Sequence, residues 1–366
     1  MTPRPTMHDV SRLSGLSIFT VSRSLSGAAG VSDASRARVL AAADELGYVP
    51  NGTAQQLRRN TRTSIAVVTA GTSNNAYYLD LVRGIQKTVD DAGCRLIMAD
   101  IAADGSYSRD AENSAVRDLI QSRLAGVIST LTLTRSNLKM LQEWDIPVVF
   151  VDSRPPEGSA FPGITTDNID AASQLGDHLA RHGYTSWLLL MYPPIWSSRL
   201  ERERGIRLAA EAVGASLTVI ETANNAVSAL KALEQYVGDH ELPRVIIAGN
   251  NPLALGAMRF LHERDIAIPG RVAVVAYDEF DWAPVVDPPL TVINEASGEL
   301  GVLAARTLLA IIADQSERDS QGQATRPQYR AMDSKEARAS LIVRRSCGCL
   351  EDERISSAKV SSSSEG

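Results

Sequence analysis

The sequence predicts two architectures in one chain. A small all-α headpiece built on a helix-turn-helix comes first. A larger α/β body of two lobes follows, each lobe a parallel sheet flanked by helices. Three observations carry this. The first sixty residues hold short helical patterns punctuated by glycine, apolar strands alternate with amphipathic helices from Ser64 onward, and that alternation then runs a second time. At 366 residues, 44% of them apolar, the chain exceeds one compact core and suffices for two or three domains.

The headpiece is expected over residues 5–50. Thr6 to Ser14 reads as a short helix, Gly15 as a tight turn, and Ser17 as the cap of a second helix that ends near Arg23. Val10, Leu13, Leu16 and Val21 are spaced to pack these helices together. Ile18, Phe19, Ser22 and Arg23 are left for an outward face. A third helix starts after Ser32, with Ala34, Val39, Leu40, Ala43 and Leu46 at helical spacing, and Gly47 stops it. Residues 51–63 hold a short polar helix around Ala54-Gln55-Gln56-Leu57, then a linker. So short a helix orders only against a partner.

The body is expected over residues 64–346. Strands are predicted at Ser64–Ala70, Arg95–Ala99, Gly126–Thr130 and Pro147–Val151, then again at Ser186–Met191, Leu217–Glu221, Arg244–Ala248 and Val272–Ala276, with helices between them. Ala339–Arg344 reads as a last strand. The first lobe is drawn as about 64–162 plus 291–325, the second as about 163–290 plus 326–346. Gln315–Asp333 reads as a polar loop and 347–366 as a disordered tail. Open sheets of this kind bind ligands at the carboxyl ends of their strands, where Asp152, Asn250-Asn251 and Asp278-Glu279 stand.

Charge is divided unevenly. Residues 1–62 carry eight arginines against four acids, a net +4, while the whole chain is −6, so the rest carries −10. A basic head on an acidic body suits a nucleic-acid module joined to a domain of other function. The N-terminus shows no apolar signal core and no stretch approaches the ~20 apolar residues of a membrane span, which predicts a cytoplasmic protein. An enzyme is disfavoured. His8, His178, His182, His240 and His262 show no partner at metal or triad spacing, and no phosphate loop is present. His178 and His182 stand i,i+4 and read as exposed helix residues. Cys94 reads as a small core residue, and Cys347-Gly348-Cys349 as reduced thiols without a matching cluster. No metal and no cofactor are expected.

Taken in order, Thr6-Met7-His8-Asp9-Val10, Thr20-Val21-Ser22-Arg23, Val31-Ser32, Leu46-Gly47-Tyr48-Val49-Pro50-Asn51 and Ala54-Gln55-Gln56-Leu57 resemble the headpiece and hinge of the lactose-repressor (LacI/GalR) family of bacterial transcription regulators. Arg83-Gly84-Ile85, Leu255-Gly256-Ala257-Met258, Tyr277-Asp278 and Pro288-Pro289-Leu290-Thr291 extend the resemblance to roughly residues 5–346. It implies a periplasmic-binding-protein-like core, a homodimer, a near-palindromic operator and a small effector, here expected to be a sugar. It also implies a hinge helix that folds when two chains meet over the minor groove, with Leu57 wedged into the base stack. The expected DNA contacts are Thr6, Ser17, Thr20 and Ser22 to phosphates, with Asn51 and Gln55 joining them from the hinge region. Arg23 is expected to read guanine through paired bonds, worth about 1–3 kcal/mol of discrimination. Ile18 and Phe19 stand where family members vary. With no donor or acceptor they are expected to touch thymine methyls, unless one turns inward to pack.

Asp152, Arg202, Asn250 and Asp278 match the family's effector-contacting positions, a donor and acceptor set suited to a polyhydroxylated ligand. Arg202 otherwise reads as part of a solvated, charge-paired helix face. Tyr77, Trp196 and Trp282 can stack on a ring or simply pack. The chain departs from the family at Asn75-Ala76-Tyr77-Tyr78, Asn251 and Glu295, and lacks an aromatic near Asn224. The rival reading is a periplasmic-type solute-binding protein without enzymatic activity.

Overall fold

The computed structural model describes residues 5–49, 62–70, 75–102, 107–194, 196–323, 326–329 and 334–349. The expected hinge helix, with Asn51, Gln55 and Leu57, lies outside these residues, as does the chain beyond Cys349. The molecule divides into two units, residues 1–63 and 64–366.

Among the described residues of the first unit are three helices, α1 (Met7–Ser14), α2 (Ile18–Leu25) and α3 (Asp33–Leu46). Asp9 Oδ2 accepts from both the Thr6 backbone N–H, at 2.9 Å, and the Thr6 hydroxyl, at 2.6 Å, which closes the start of α1. Gly15 takes the left-handed φ of +66° that the turn requires. Val10, Val21, Val39, Ala42 and Ala43 form the core. Leu13 and Leu40, expected inside, are 46% and 48% exposed. The buried edge of α1 runs from Val10 to Ser14, and that of α3 through Val39, Ala42 and Ala43, so each leucine is turned away. Arginine supplements this small core. Arg38 donates to the Ser14 carbonyl at 2.7 Å, and Arg36 to the Ser24 and Ala28 carbonyls at 3.1 and 2.8 Å. Two cations are thus spent on carbonyls in and just beyond the last turns of α1 and α2.

The second unit holds two sheets. In the N-lobe the strands are β1 (Ser64–Thr69), β2 (Arg95–Asp100), β3 (Gly126–Ser129), β4 (Val148–Val151), β5 (Gly163–Thr166) and β11 (Lys335–Ala337), in the order β11-β5-β4-β3-β1-β2, all parallel. In the C-lobe they are β6 (Ser186–Met191), β7 (Ser216–Glu221), β8 (Val245–Ala248), β9 (Ala273–Tyr277), β10 (Thr291–Asn294) and β12 (Ser340–Ile342). Their order is β12-β10-β9-β8-β6-β7, with β12 alone antiparallel to its neighbour. The chain therefore passes between lobes after β5, after β10 and between β11 and β12. This moves the lobe boundaries predicted from sequence. β5 belongs to the N-lobe, β10 to the C-lobe and β11 to the N-lobe. Each is three or four residues long, too short to show a period.

The helices of the body are α4 (Ala76–Asp91), α5 (Arg109–Gln121), α6 (Arg135–Glu143), α7 (Asn168–Arg181), α8 (Ser197–Val213), α9 (Ala226–Asp239), α10 (Asn251–His262) and α11 (Ser297–Ser320). α11 was not expected and takes Gln315–Ser320 out of the predicted loop. Its buried stripe is Leu300, Ala304, Ala305, Leu308 and Ile311, and it packs on α4. The approach is close enough to need glycine. A Cβ on Gly84 would lie 2.1 Å from the Gly298 carbonyl oxygen, and one on Gly301 2.1 Å from that of Leu81. Residues 347–349, expected in a disordered tail, are instead placed, since Arg345–Cys347 form a 3₁₀ turn and Cys347 and Cys349 are buried; the rest of that expectation lies outside the described residues. His178 is buried rather than exposed, and His178, His182, Cys347 and Cys349 converge, a cluster the linear spacing concealed.

Two glycines make this packing testable. Gly301→Ala forces backbone apart and should cost about 1–3 kcal/mol. Gly238→Ala, in α9 with nothing within 4 Å of the added carbon, should stabilise by up to ~1 kcal/mol. Urea unfolding of the two variants should shift the midpoint in opposite directions.

Candidate nucleic-acid interface and ligand cleft

The headpiece presents one apolar and hydroxyl-rich helix start. The Ser17 hydroxyl accepts from the Thr20 backbone N–H at 3.1 Å and lies 2.9 Å from the Thr20 hydroxyl, which caps α2. Ile18 and Phe19, in its first turn, are 40% and 66% exposed, so neither turns inward. Thr6 is also exposed, and Ser22 is half-buried. Arg23 is placed differently from a free base-reading fork. Its Nη2 donates to the Ala29 carbonyl, and its guanidinium lies 5.5 Å from the Phe19 ring centroid. It therefore braces the loop that follows α2, and reading a base requires releasing that carbonyl.

In the body, a cavity between the lobes is lined by Asn75, Tyr77, Tyr78, Asp152, Tyr192, Trp196, Arg202, Asn224, Asn250 and Asp278. All six residues expected at the ligand site, Tyr77, Asp152, Trp196, Arg202, Asn250 and Asp278, line it. Strand ends and helix starts place them. Asp152 follows β4 and Asp278 follows β9, each with a left-handed backbone, φ +55° and +73°. Such strain in a non-glycine residue persists only where the surroundings hold it. Asn250 caps α10 by accepting from the Leu253 N–H at 3.2 Å, and its amide donates to Asn224 at 2.8 Å. The Asp278 carboxylate accepts from the Asn251 N–H at 3.1 Å. The space enclosed is about 10 Å³, the room of a single water. A sugar enters only if the lobes part.

Arg202 lies at the centre and is 2% exposed, which overturns its reading as part of a solvated face. Its Nη2 donates to Glu295 at 2.5 Å, its Nη1 to the Gly249 carbonyl at 2.7 Å and its Nε to Asn168 at 3.3 Å. Nη1 also stands 3.7 Å from the Asp278 carboxylate, and the guanidinium lies 4.7 Å from the Tyr277 ring centroid. Asp152, Asp278 and Glu295 are all buried beside this one cation. Burial pushes the Asp152 carboxyl up from 3.8 to about 7, with Arg202 opposing the rise and Glu295 adding to it. Burial, again opposed by Arg202, holds Asp278 well above the usual carboxylate range. The Tyr78 hydroxyl donates to Asp152 at 3.2 Å. Burial and the Asp152 charge hold the Tyr77 phenol protonated, a donor at the cavity wall.

Sequence reasoning did not assign Tyr78, Tyr192 or Glu295 to the site. Tyr78 and Glu295 were visible as departures from the family pattern, and Glu295 proves to be the ionic partner of Arg202. Trp282 does not line the cavity. Its indole donates to Asn251 at 3.2 Å, and its ring packs 4.2 Å from that of Phe280.

Asp152 makes stability depend on pH. Its folded value lies above its ordinary one, so between 3.8 and about 7 the folded chain holds a proton that the unfolded chain releases. That contribution is complete below 3.8 and is lost as pH rises toward 7. Melting temperatures of the parent should fall from pH 5 to 7.5. Asp152→Asn should remove part of that slope, on the order of 3 kcal/mol, while Asp278 retains the rest. Parallel curves for the two proteins would refute the assignment.

Over residues 62–332 the chain matches the family described as periplasmic binding proteins and sugar binding domain of the LacI family. Over residues 6–51 it matches the bacterial regulatory proteins of the lacI family. The ribose operon repressor of Escherichia coli (strain K12) is 29% identical over 315 residues, 83% of this chain and 92% of that protein. The HTH-type transcriptional repressor PurR of Vibrio atlanticus (strain LGP32) is also 29% identical, over 84% of this chain and 92% of its own. The crystal structure of the lac repressor dimer bound to operator and the anti-inducer ONPF has a TM-score of 0.76 at 25% identity, covering 94% of this chain and 99% of that one. With the first match alone spanning well over half its length, this chain belongs to the LacI family of bacterial regulatory proteins.

Proposed function

We propose that this chain is a sequence-specific DNA-binding transcriptional regulator, a repressor that acts as a homodimer on a near-palindromic operator. Its operator affinity is set by a small effector, a sugar or sugar derivative, lodged between the lobes. The observation that carries this is the union, in one chain, of a Ser17-capped helix exposing Ile18 and Phe19 with a buried cleft built around Arg202. A solute-binding protein uses the second and has no use for the first. The named relatives are repressors, which supports a role without catalysis. No described helix is long and apolar enough to cross a membrane. A regulator of chromosomal DNA works in the cytoplasm.

The cleft chemistry favours a polyhydroxylated ligand. Carboxylates accept from hydroxyls, Arg202 and Tyr77 donate, and Asn250 does both. Trp196 Nε1 is buried without a hydrogen-bond partner among the described residues, a donor that a ligand oxygen would satisfy. On the DNA side, Thr6, Ser17, Thr20 and Ser22 are assigned to phosphates, Ile18 and Phe19 to thymine methyls, and Arg23 to guanine once it leaves Ala29. Effector binding shifts the population of lobe arrangements and with it the hinge segments of the dimer. Coupling of this kind is worth about 1–3 kcal/mol.

Selection of the full chain on random duplexes should return an inverted repeat. In gel shifts on that repeat with a panel of sugars and nucleobases, one sugar should change affinity roughly 5- to 150-fold. Deleting residues 1–62 should abolish the shift and leave sugar binding intact. Ile18→Gln and Phe19→Gln should alter the selected bases. A chain that prefers no duplex over random competitor, with or without metabolites, refutes the proposal.

A further inference from the structure

Outside the cleft, two distant stretches of chain bring four soft donors together. His178, in the last turn of α7, and His182, which follows that helix, stand i,i+4 on one face. Cys347 and Cys349 come from the far end of the described chain. One donor atom of each of the four lies within 4.8 Å of all the others. Cys349 Sγ is 3.9 Å from His178 Nε2 and 3.3 Å from His182 Nε2. Zinc–sulfur bonds near 2.3 Å and zinc–nitrogen bonds near 2.0–2.1 Å, at tetrahedral angles, separate donors by roughly 3.3–3.8 Å. The observed spacings bracket that range. His178, Cys347 and Cys349 are buried and His182 is half-buried.

We propose that His178, His182, Cys347 and Cys349 form a structural zinc site that fastens the C-terminal segment to α7. Two thiolates and two neutral imidazoles cancel the charge of a divalent ion, which suits burial. Four protein ligands leave no open position, so the ion has no catalytic role. Soft sulfur with imidazole selects zinc over magnesium or calcium.

The surroundings hold each donor in place. Gly348, between the cysteines, has φ +105°, and a Cβ there would lie 2.8 Å from the Tyr184 hydroxyl oxygen, so only glycine passes. That hydroxyl donates to the Cys347 carbonyl at 2.9 Å, and the Tyr184 ring stacks on His182. The Thr291 hydroxyl stands 3.1 Å from Cys347 Sγ, placed to donate to a thiolate. The Ser346 hydroxyl donates to the Val274 carbonyl at 2.6 Å, and Arg344 Nη2 donates to both carboxylate oxygens of Glu279 at 2.8 and 2.9 Å. The segment is thus tied to β9 and β10 before any ion is added. Arg181 Nη2 lies 3.4 Å from His178 Nδ1, on the far edge of the ring from the sulfurs.

The test is metal analysis of the full chain, purified reduced, without a polyhistidine tag or chelator. Roughly one zinc per chain is expected. Cobalt put in its place should give the intense visible bands of a tetrahedral site and a thiolate charge-transfer band. Cys349→Ser and His182→Ala should lose at least nine-tenths of the metal, whereas Cys94→Ser and His240→Ala, outside the cluster, should keep it. Should the cluster variants fail to fold, cobalt titration of the parent decides. Chelation of the parent should lower its melting temperature by roughly 5 °C or more, restored by zinc. Three results overturn the site: sub-stoichiometric metal with no cobalt bands, metal content unchanged in folded Cys349→Ser, or a Cys347–Cys349 disulfide in the reduced preparation.

Discussion

One buried guanidinium organises the body of this protein. Arg202 faces three carboxylates in a space from which water is nearly excluded, and a lone charge there would be untenable. The arrangement is self-supporting because every partner is also a structural joint. Asn168 begins the helix after the first passage between lobes, and Glu295 follows the strand before the second. Gly249 and Asp278 lie at the ends of two C-lobe strands. Removing Arg202 would leave three acids buried without a cation, so its cost would far exceed any one hydrogen bond.

The third passage is tied to the same helix. Glu201, beside Arg202, accepts from Arg154 of the N-lobe and from Asn168 at 3.0 Å. Arg154 also reaches Glu336, in the strand before that passage, at 2.6 Å. The first turns of α8 thus contact the first two connections directly and reach the third through Arg154. A ligand hydroxyl that competes for Arg202 competes with bonds to the first two, and parting the lobes strains the Arg154 bond to Glu201, whereas Arg154 and Glu336 stay together on the N-lobe. A ligand seated as proposed would therefore interact differently with closed and parted lobes, the physical requirement for a population shift.

What the sequence made legible followed local rules. Ser17 and Ser32 as caps, Gly15 as a turn and the alternation of strands with helices were each set by neighbours along the chain. The six cleft residues were legible because they stand at strand ends and helix starts, where resemblance and topology agree. What stayed hidden was set by distance. β5, β10 and β11 are too short to carry a period, and their lobe depends on pairing partners elsewhere. α11 has a stripe in Leu300, Ala304, Leu308 and Ile311, yet no helix was expected there, and its polar end at Gln315–Ser320 reads as a loop. Glu295 showed as an odd residue, and only folding revealed Arg202 beside it. The His and Cys pairs lie some 170 positions apart, beyond any spacing rule.

The headpiece poses a balance between holding itself together and holding DNA. Its core is five small residues, and arginine bonds to backbone carbonyls supplement it. Arg36 and Arg38 are committed to that work, so the basic charge of this segment overstates what is free for phosphates. Arg23 does the first task here and is the residue proposed for the second. Its bond to the Ala29 carbonyl and its place beside Phe19 are worth about 2–4 kcal/mol together, while a paired contact to guanine is worth about 1–3 kcal/mol. These ranges overlap, so contact with guanine does not by itself outweigh the bond to Ala29. Phe19 needs no such release. Burying its exposed ring against a thymine methyl gains part of the ~1.5–3 kcal/mol of full burial, and freeing Arg23 from Ala29 leaves that ring in place. Under the proposed assignment, apolar contact from Ile18 and Phe19 is therefore the readout for which the headpiece is already exposed, whereas the arginine would first have to leave Ala29.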